Sequence, residues 1–154
     1  TNYALLALVI EKITKLPYPK AMKNLLFNPL GMKNTFVFEI EKQKDLVSKS
    51  YKSTWNEIPF DYLDAIYGDK NIYATAKDLL MFDLATYSDT FISKKMKNLA
   101  YKGYSYERRG IKNYGLGIRI NEWEDGTSLL YHNGWWHGNT SAYVTLKKDT
   151  VTLI

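Results

Sequence analysis

The sequence predicts an α+β fold in which a helical region is followed by an antiparallel β-meander. Three observations carry this. Apolar residues recur with a helical period through much of the first hundred residues. From Tyr114 the period changes to two, as expected of strands with one buried face. Asp125-Gly126 and Lys148-Asp149 then supply hairpin turns between alternating runs. The expected organisation is one structural domain, with residues 1–105 forming the helical region and residues 106–154 the strands.

Leu6, Val9, Ile10 and Ile13 fall at helical spacing, and Leu5 and Leu8 widen the stripe, so the first helix is expected to be buried on most sides. A second helix is expected from Pro19 to Phe27, burying Met22, Leu25 and Leu26. Pro19 suits its first turn, and Asn28-Pro29-Leu30-Gly31 ends it. Residues 33–72 hold only short apolar runs broken by Pro59 and Gly68; so long an irregular stretch commonly covers a site. Thr75 and Asp78 have capping-box spacing ahead of a helix carrying Leu79, Leu80, Phe82 and Leu84. A shorter helix is expected around Lys94 to Ala100. The expected strands are four: 114–120, 128–132, 140–146 and 150–154, with a polar break at 133–139.

Composition narrows the function classes. The 154 residues are long enough to bury about 70% of the unfolded surface in one core. Lys and Arg number 21 against 16 Asp and Glu, a net charge of +5, but the basic residues are scattered. No Arg-rich run or zinc-ligand spacing marks a nucleic-acid site, so no nucleic-acid partner is expected. A basic surface also suits an anionic substrate such as a peptide carboxylate. The absence of cysteine removes thiol catalysis and Cys-bound metal. No apolar run reaches the length of about 18 residues needed to span a membrane. The start at Thr1-Asn2-Tyr3 and the stop inside Val151-Thr152-Leu153-Ile154 both read as cut ends.

The segment richest in chemistry is Tyr131 to Gly138. His132 can bond or pass a proton near neutral pH, and Gly134 admits close backbone approach. The backbone N–H of Trp135 can face an oxyanion. Trp135 and Trp136 suit the lining of an acyl or peptide pocket, with packing as the alternative for one of them. His137 suits a cleft or, equally, a solvent-exposed loop. His132 and His137, five residues apart near Glu124 and Asp125, match no metal-ligand pattern, and no metal or other cofactor is expected. Lys70 reads as a solvated lysine.

Four blocks, in order, resemble the class C β-lactamase and D-Ala-D-Ala carboxypeptidase family of serine hydrolases. Tyr3 to Thr14 resembles the family's helix behind its Tyr-x-Asn motif. Pro29-Leu30-Gly31-Met32 is similar to its PLGM turn, and Gly68 to Leu79 to its GDKGIYSTxxDL block. His132-Asn133-Gly134 resembles the third active-site motif, usually Lys-Thr-Gly or His-x-Gly, and Gly138 the glycine that often follows. The resemblance implies a partial β-lactamase/transpeptidase-like fold and acyl transfer through a serine of a Ser-x-x-Lys motif. It gives catalytic roles to His132 and the Trp135 amide, and substrate-binding roles to Asn133 and Gly134, with Trp136 and His137 alongside. It also implies a periplasmic or extracellular bacterial location.

The departures matter as much. No Ser-x-x-Lys occurs, and Thr145 with Lys148 lies on an expected strand beside a turn. Tyr131-His132-Asn133 spells Tyr-x-Asn but overlaps the third motif; the resemblance places the family's own Tyr-x-Asn before Thr1. Asn71 stands where the family usually has glycine. The chain is therefore expected to be an inactive portion of a hydrolase for β-lactams, D-Ala-D-Ala peptides or esters. The alternative is a non-catalytic peptide-binding or interaction module, and exposed strand edges would allow self-association.

Overall fold

The computed structural model describes residues 2–108 and 112–154. In chain order the helical region holds α1 (Asn2–Thr14), α2 (Tyr18–Met22) and a wide π-helical turn (Lys23–Phe27). Short elements follow: β1 (Phe36–Val37), α3 (Ile40–Gln43), β2 (Ser50–Tyr51), β3 (Glu57–Ile58), a 3-10 turn (Tyr62–Ala65) and β4 (Ile72–Tyr73). Then come α4 (Ala76–Tyr87), α5 (Lys94–Ala100), β5 (Ser105–Arg108), β6 (Lys112–Tyr114), β7 (Arg119–Glu122), β8 (Ser128–Trp136), β9 (Asn139–Leu146) and β10 (Val151–Leu153). These residues pack as two compact units, Thr1–Phe82 with Trp135–Asn139 and Asp83–Gly134 with Thr140–Ile154.

The first unit is built on Ala7, Tyr18, Phe27, Met32 and Val37, with Ile10, Met22, Leu26, Leu30, Tyr67 and Phe82 packed against them. The inward face of α1 is not the predicted stripe. Ala7 is 5% exposed whereas Ile13 is 76% exposed, and Leu5, Leu6, Leu8 and Val9 all lie on the surface. The less exposed residues are Ala4, Ala7, Glu11 and Thr14, at i, i+3, i+7 and i+10, with Ile10 beside them. Beside this face the Tyr18 N–H donates to Glu11 Oε1 (2.6 Å), and within the helix Thr14 Oγ1 donates to the Ile10 carbonyl (2.7 Å). The second helix departs as well. After Met22 the Asn28 N–H reaches back five residues to Lys23 O, and this wider turn puts Phe27 inside and leaves Leu25 exposed.

In the second unit the sheet runs β10-β9-β8-β7-β6-β5, six strands where four were expected. The expected strand 114–120 is broken. The Gly115 N–H bonds to Ile118 O (2.8 Å), Leu116 turns its N–H to Ala100 O (2.9 Å), and Gly117 has φ +77°. Its two halves become β6 and β7, and β5 pairs onto β6 as a polar edge strand with no apolar alternation to announce it. The polar break at 133–139 shrinks to two residues because β8 runs on to Trp136. The Asp-Gly turn behaves as its chemistry requires: Gly126 has φ +79°, and Asp125 Oδ1 accepts from the Thr127 N–H and hydroxyl. Ile120 opposite Leu130, both buried, sets the register of β7 on β8.

Helix α4 inverts the usual rule, for its buried positions are Asp78, Asp83 and Thr86 while Leu80 and Leu84 are exposed. Thr75 Oγ1 accepts from the Asp78 N–H (3.2 Å), the expected cap. The Asp78 carboxylate, however, accepts from Asn34 N–H and Thr35 Oγ1–H, both at 2.7 Å, and so ties the helix start to the PLGM turn. In the second unit Asp83, 3% exposed, accepts from Tyr143 Oη (2.5 Å), Lys147 Nζ (3.0 Å) and Thr152 Oγ1 (2.9 Å). This binds the helix to β9 and β10.

Burial alone would raise the Asp83 carboxyl, but the bonds from Tyr143, Lys147 and Thr152 and the lysine charge hold it below the ordinary range. A depressed carboxyl adds stability that is present above its unfolded pKa of about 3.9 and is lost as pH falls through the folded value. Asp83→Ala, which leaves Lys147 its bond to Thr86 but removes its counter-charge, is expected to cost about 3 kcal/mol in urea melts at pH 7. At pH 3 the difference between the two proteins should shrink.

Candidate functional site

Strand β8 carries all the sequence-predicted site residues except His137, which follows it. Two groups along this stretch lie in different units.

His132, Asn133 and Gly134 belong to the second unit, on the part of β8 anchored by the Ile120–Leu130 pair. His132 is exposed, and its imidazole has two partners: Nε2 lies 3.1 Å from Tyr114 Oη and Nδ1 lies 2.9 Å from the Asn133 carbonyl. The rings of His132 and Tyr114 meet edge-on, and the Arg119 guanidinium lies 5.5 Å from the Tyr114 ring centre. Asn133 is exposed. A Cβ on Gly134 would come within 2.4 Å of Ser141 Oγ, so glycine there makes room for a neighbouring hydroxyl. Tyr114 entered the sequence reading only as a strand residue. The partner to His132 comes from β6, 18 positions away, and no local spacing signals it.

Trp135, Trp136 and His137 belong to the first unit. There the hairpin tip is held by a carboxylate that sequence reasoning left out. Asp64, 2% exposed, accepts the Trp136 indole N–H on Oδ1 (2.6 Å). Its Oδ2 accepts the Asp61 backbone N–H (2.7 Å) and lies 3.3 Å from His137 Nε2. Burial would raise this carboxyl, but those bonds and the neighbouring imidazole hold it below the ordinary range. Asp61 completes a reciprocal cap on the 3-10 turn by accepting from the Leu63 N–H (2.7 Å). The ligand atoms of Asp61, Asp64 and His137 lie within 4.8 Å of one another. A metal ion there would have to displace the Trp136 and Asp61 N–H donors, so the geometry is that of a hydrogen-bonded clamp.

The tip is fixed at further points. His137 has φ +49°, left-handed, in the two-residue turn before β9. Its side chain is 14% exposed and packs on Trp136, which removes the solvent-loop alternative. A Cβ on Gly138 would come 3.0 Å from Tyr51 O, so a side chain there would push the tip off β2. Asn139 Nδ2 donates to Ser50 Oγ (2.8 Å). Lys70 is not a solvated lysine: its ammonium sits 4.5 Å from the centre of the Trp136 ring and 3.1 Å from Asp69 Oδ1, with only 13% of the side chain exposed. Of the two tryptophans, Trp136 packs and Trp135 is 77% exposed.

Asn71 accounts for itself. Its φ is +75°, a conformation that glycine takes freely and that asparagine tolerates better than most residues. Its side-chain amide donates to the carbonyls of Asp64 (2.5 Å) and Ile66 (3.3 Å), so it braces the carboxylate's own turn. Elsewhere in the first unit, a cleft of about 380 Å³ opens beside Lys20, Lys23, Phe36 and Glu39, and none of the predicted site residues lines it.

Helices ahead of an antiparallel sheet, with His-Asn-Gly on a strand and glycine at its turn, agree with the match of a family model described as Beta-lactamase to residues 1–154. The chain belongs to the beta-lactamase family. Penicillin-binding protein 4* of Bacillus subtilis (strain 168) is 27% identical over 172 residues, a match covering 100% of this chain and 38% of that protein. The penicillin-binding protein of Bacillus halodurans has the same fold, with TM-score 0.82 at 19% identity over 95% of this chain and 46% of that one. The octameric penicillin-binding protein homologue of Pyrococcus abyssi gives TM-score 0.78 at 23% identity over 97% and 35%. This beta-lactamase-family chain thus spans 35–46% of the length of these relatives. No helix among the described residues is long and apolar enough to cross a membrane.

Three substitutions at two positions test the clamp. Asn71→Ala should cost about 2 kcal/mol, through left-handed strain and two lost bonds. Asn71→Gly, which keeps the backbone freedom, should cost about 1 kcal/mol; denaturant midpoints separate the two. Asp64→Ala is expected to release Trp136 and lower stability by about 3 kcal/mol. Its signature should be a red shift and loss of anisotropy in native-state tryptophan fluorescence.

Proposed function

We propose that this chain supplies one wall of the active site of a serine hydrolase of the β-lactamase/penicillin-binding-protein type. The reaction is acyl transfer or hydrolysis on a β-lactam, a D-Ala-D-Ala peptide or an ester. The observation that carries this is His132-Asn133-Gly134 standing on an anchored strand of a beta-lactamase-family sheet. In this reading His132 positions the substrate, Asn133 contacts its carboxylate, and the Trp135 amide donates to the oxyanion formed on attack. Gly134, Trp136 and His137 are the further substrate-binding residues of this reading. No metal or other cofactor takes part.

The nucleophile must come from outside these residues, since no Ser-x-x-Lys lies within them. Without it the covalent step is lost, and the 154 residues are inactive alone. The proposed location is the periplasm or the exterior of a bacterium, where cell-wall peptides are found. The exposed Trp135 favours a second reading, a non-catalytic module that holds a peptide on the same strand. Outer strands β5 and β10 offer edges for self-association.

Incubation with a fluorescent penicillin, read by intact mass, is expected to give no adduct on the 154-residue chain; a stoichiometric adduct overturns the proposed division of labour. In a longer polypeptide joining this chain to a Ser-x-x-Lys segment, His132→Ala should lower kcat/KM by about 10²-fold. Saturable binding of a D-Ala-D-Ala peptide to the chain alone, abolished by Trp135→Ala, would favour the binding module instead.

A further inference from the structure

We infer that Tyr114 is a positioning residue that holds His132 in its Nδ1–H tautomer, with Nε2 as a hydrogen-bond acceptor. The Asn133 carbonyl oxygen can only accept, so the bond from Nδ1 at 2.9 Å requires the proton on Nδ1. In the neutral ring Nε2 then has a lone pair and no proton. Tyr114 Oη, at 3.1 Å, is the donor to it. Free neutral imidazole favours the opposite form, with the proton on Nε2, so the two partners together select the less common tautomer. The edge-on meeting of the rings, with centroids 6.3 Å apart, limits rotation of the imidazole about its own bond.

The selection depends on the break in the expected strand. Because Gly115 to Ile118 loop out, β6 ends at Tyr114, whose register partner on β7 is Arg119. Arg119 in turn stands opposite Tyr131 on β8, one residue before His132. The Arg119 guanidinium lies against the Tyr114 ring and steadies it. A tautomer fixed in this way excludes one use of the imidazole: Nε2 cannot donate a proton to a substrate while it accepts from Tyr114. While both bonds hold, the imidazole offers no free N–H, so His132 acts by its position. Its bearing on catalysis rests on reading His132 as the third-motif residue, but the tautomer itself does not.

Long-range proton–nitrogen NMR of the ¹⁵N-labelled chain at about pH 8.5, above the ordinary imidazole range, reads the tautomer directly. The expected spectrum has a protonated Nδ1 and an unprotonated, hydrogen-bonded Nε2 for His132. Tyr114→Phe should return the ring largely to the Nε2–H form, while His137 keeps its wild-type shifts. A proton on Nε2 in the wild type overturns the inference, as does an unchanged His132 in a folded Tyr114→Phe chain. Should that variant not fold, uniform 3-fluorotyrosine labelling strengthens the hydroxyl as a donor without removing the ring. It is expected to move the His132 Nε2 resonance, and an immobile resonance counts against the assignment. These spectra need no turnover, so failure of the penicillin experiment and failure of the tautomer are read separately.

Discussion

The first unit depends on one buried carboxylate. Asp64 accepts from a backbone N–H, an indole and an imidazole, and the carbonyl of the same residue accepts from Asn71. A carboxylate so placed could not remain charged without those donors, because desolvation alone would drive it to protonate. The donors come from segments about seventy residues apart in sequence, so satisfying this one charge brings the irregular stretch and the hairpin tip together. Irregular chain of this length has few main-chain ladders to define it, and side-chain bonds to a central acceptor supply the definition instead.

Asp83 plays a comparable part in the second unit, and with Asp78 it accounts for an odd property of α4. That helix buries two acids and a threonine while Leu80 and Leu84 are exposed. Its polar side chains serve as acceptors for the PLGM turn and for the outer strands. Apolar contact is indifferent to direction, whereas a carboxylate bonded to a tyrosine, a lysine and a threonine fixes the register of each. The cost is acid sensitivity, since both Asp64 and Asp83 support the fold only while ionised.

The legible parts of the sequence were those ruled by local chemistry. The helix from Lys94 to Ala100, the cap at Thr75, the Asp-Gly hairpin and the strand position of His132 all follow from residues a few places apart. The family blocks led to the correct fold. What failed was settled at a distance. The break after Tyr114 depends on a carbonyl of Ala100, and β5 on pairing rather than pattern. Lys70 looked solvated because its ring partner, Trp136, is 66 positions further on. Asp64 had no motif at all; only the fold shows what it holds.

The hairpin tip also divides labour between two adjacent tryptophans. Trp136 is spoken for by Asp64, Lys70 and His137, so a change there disturbs the fold before it alters anything bound. Trp135 lies one residue away and faces solvent over most of its surface. Strand geometry points neighbouring side chains in opposite directions, so one position is constrained by the scaffold while the next is left open to variation. At 77% exposed, residue 135 can be exchanged at little loss of stability, whereas a change at 136 costs the tip its anchor.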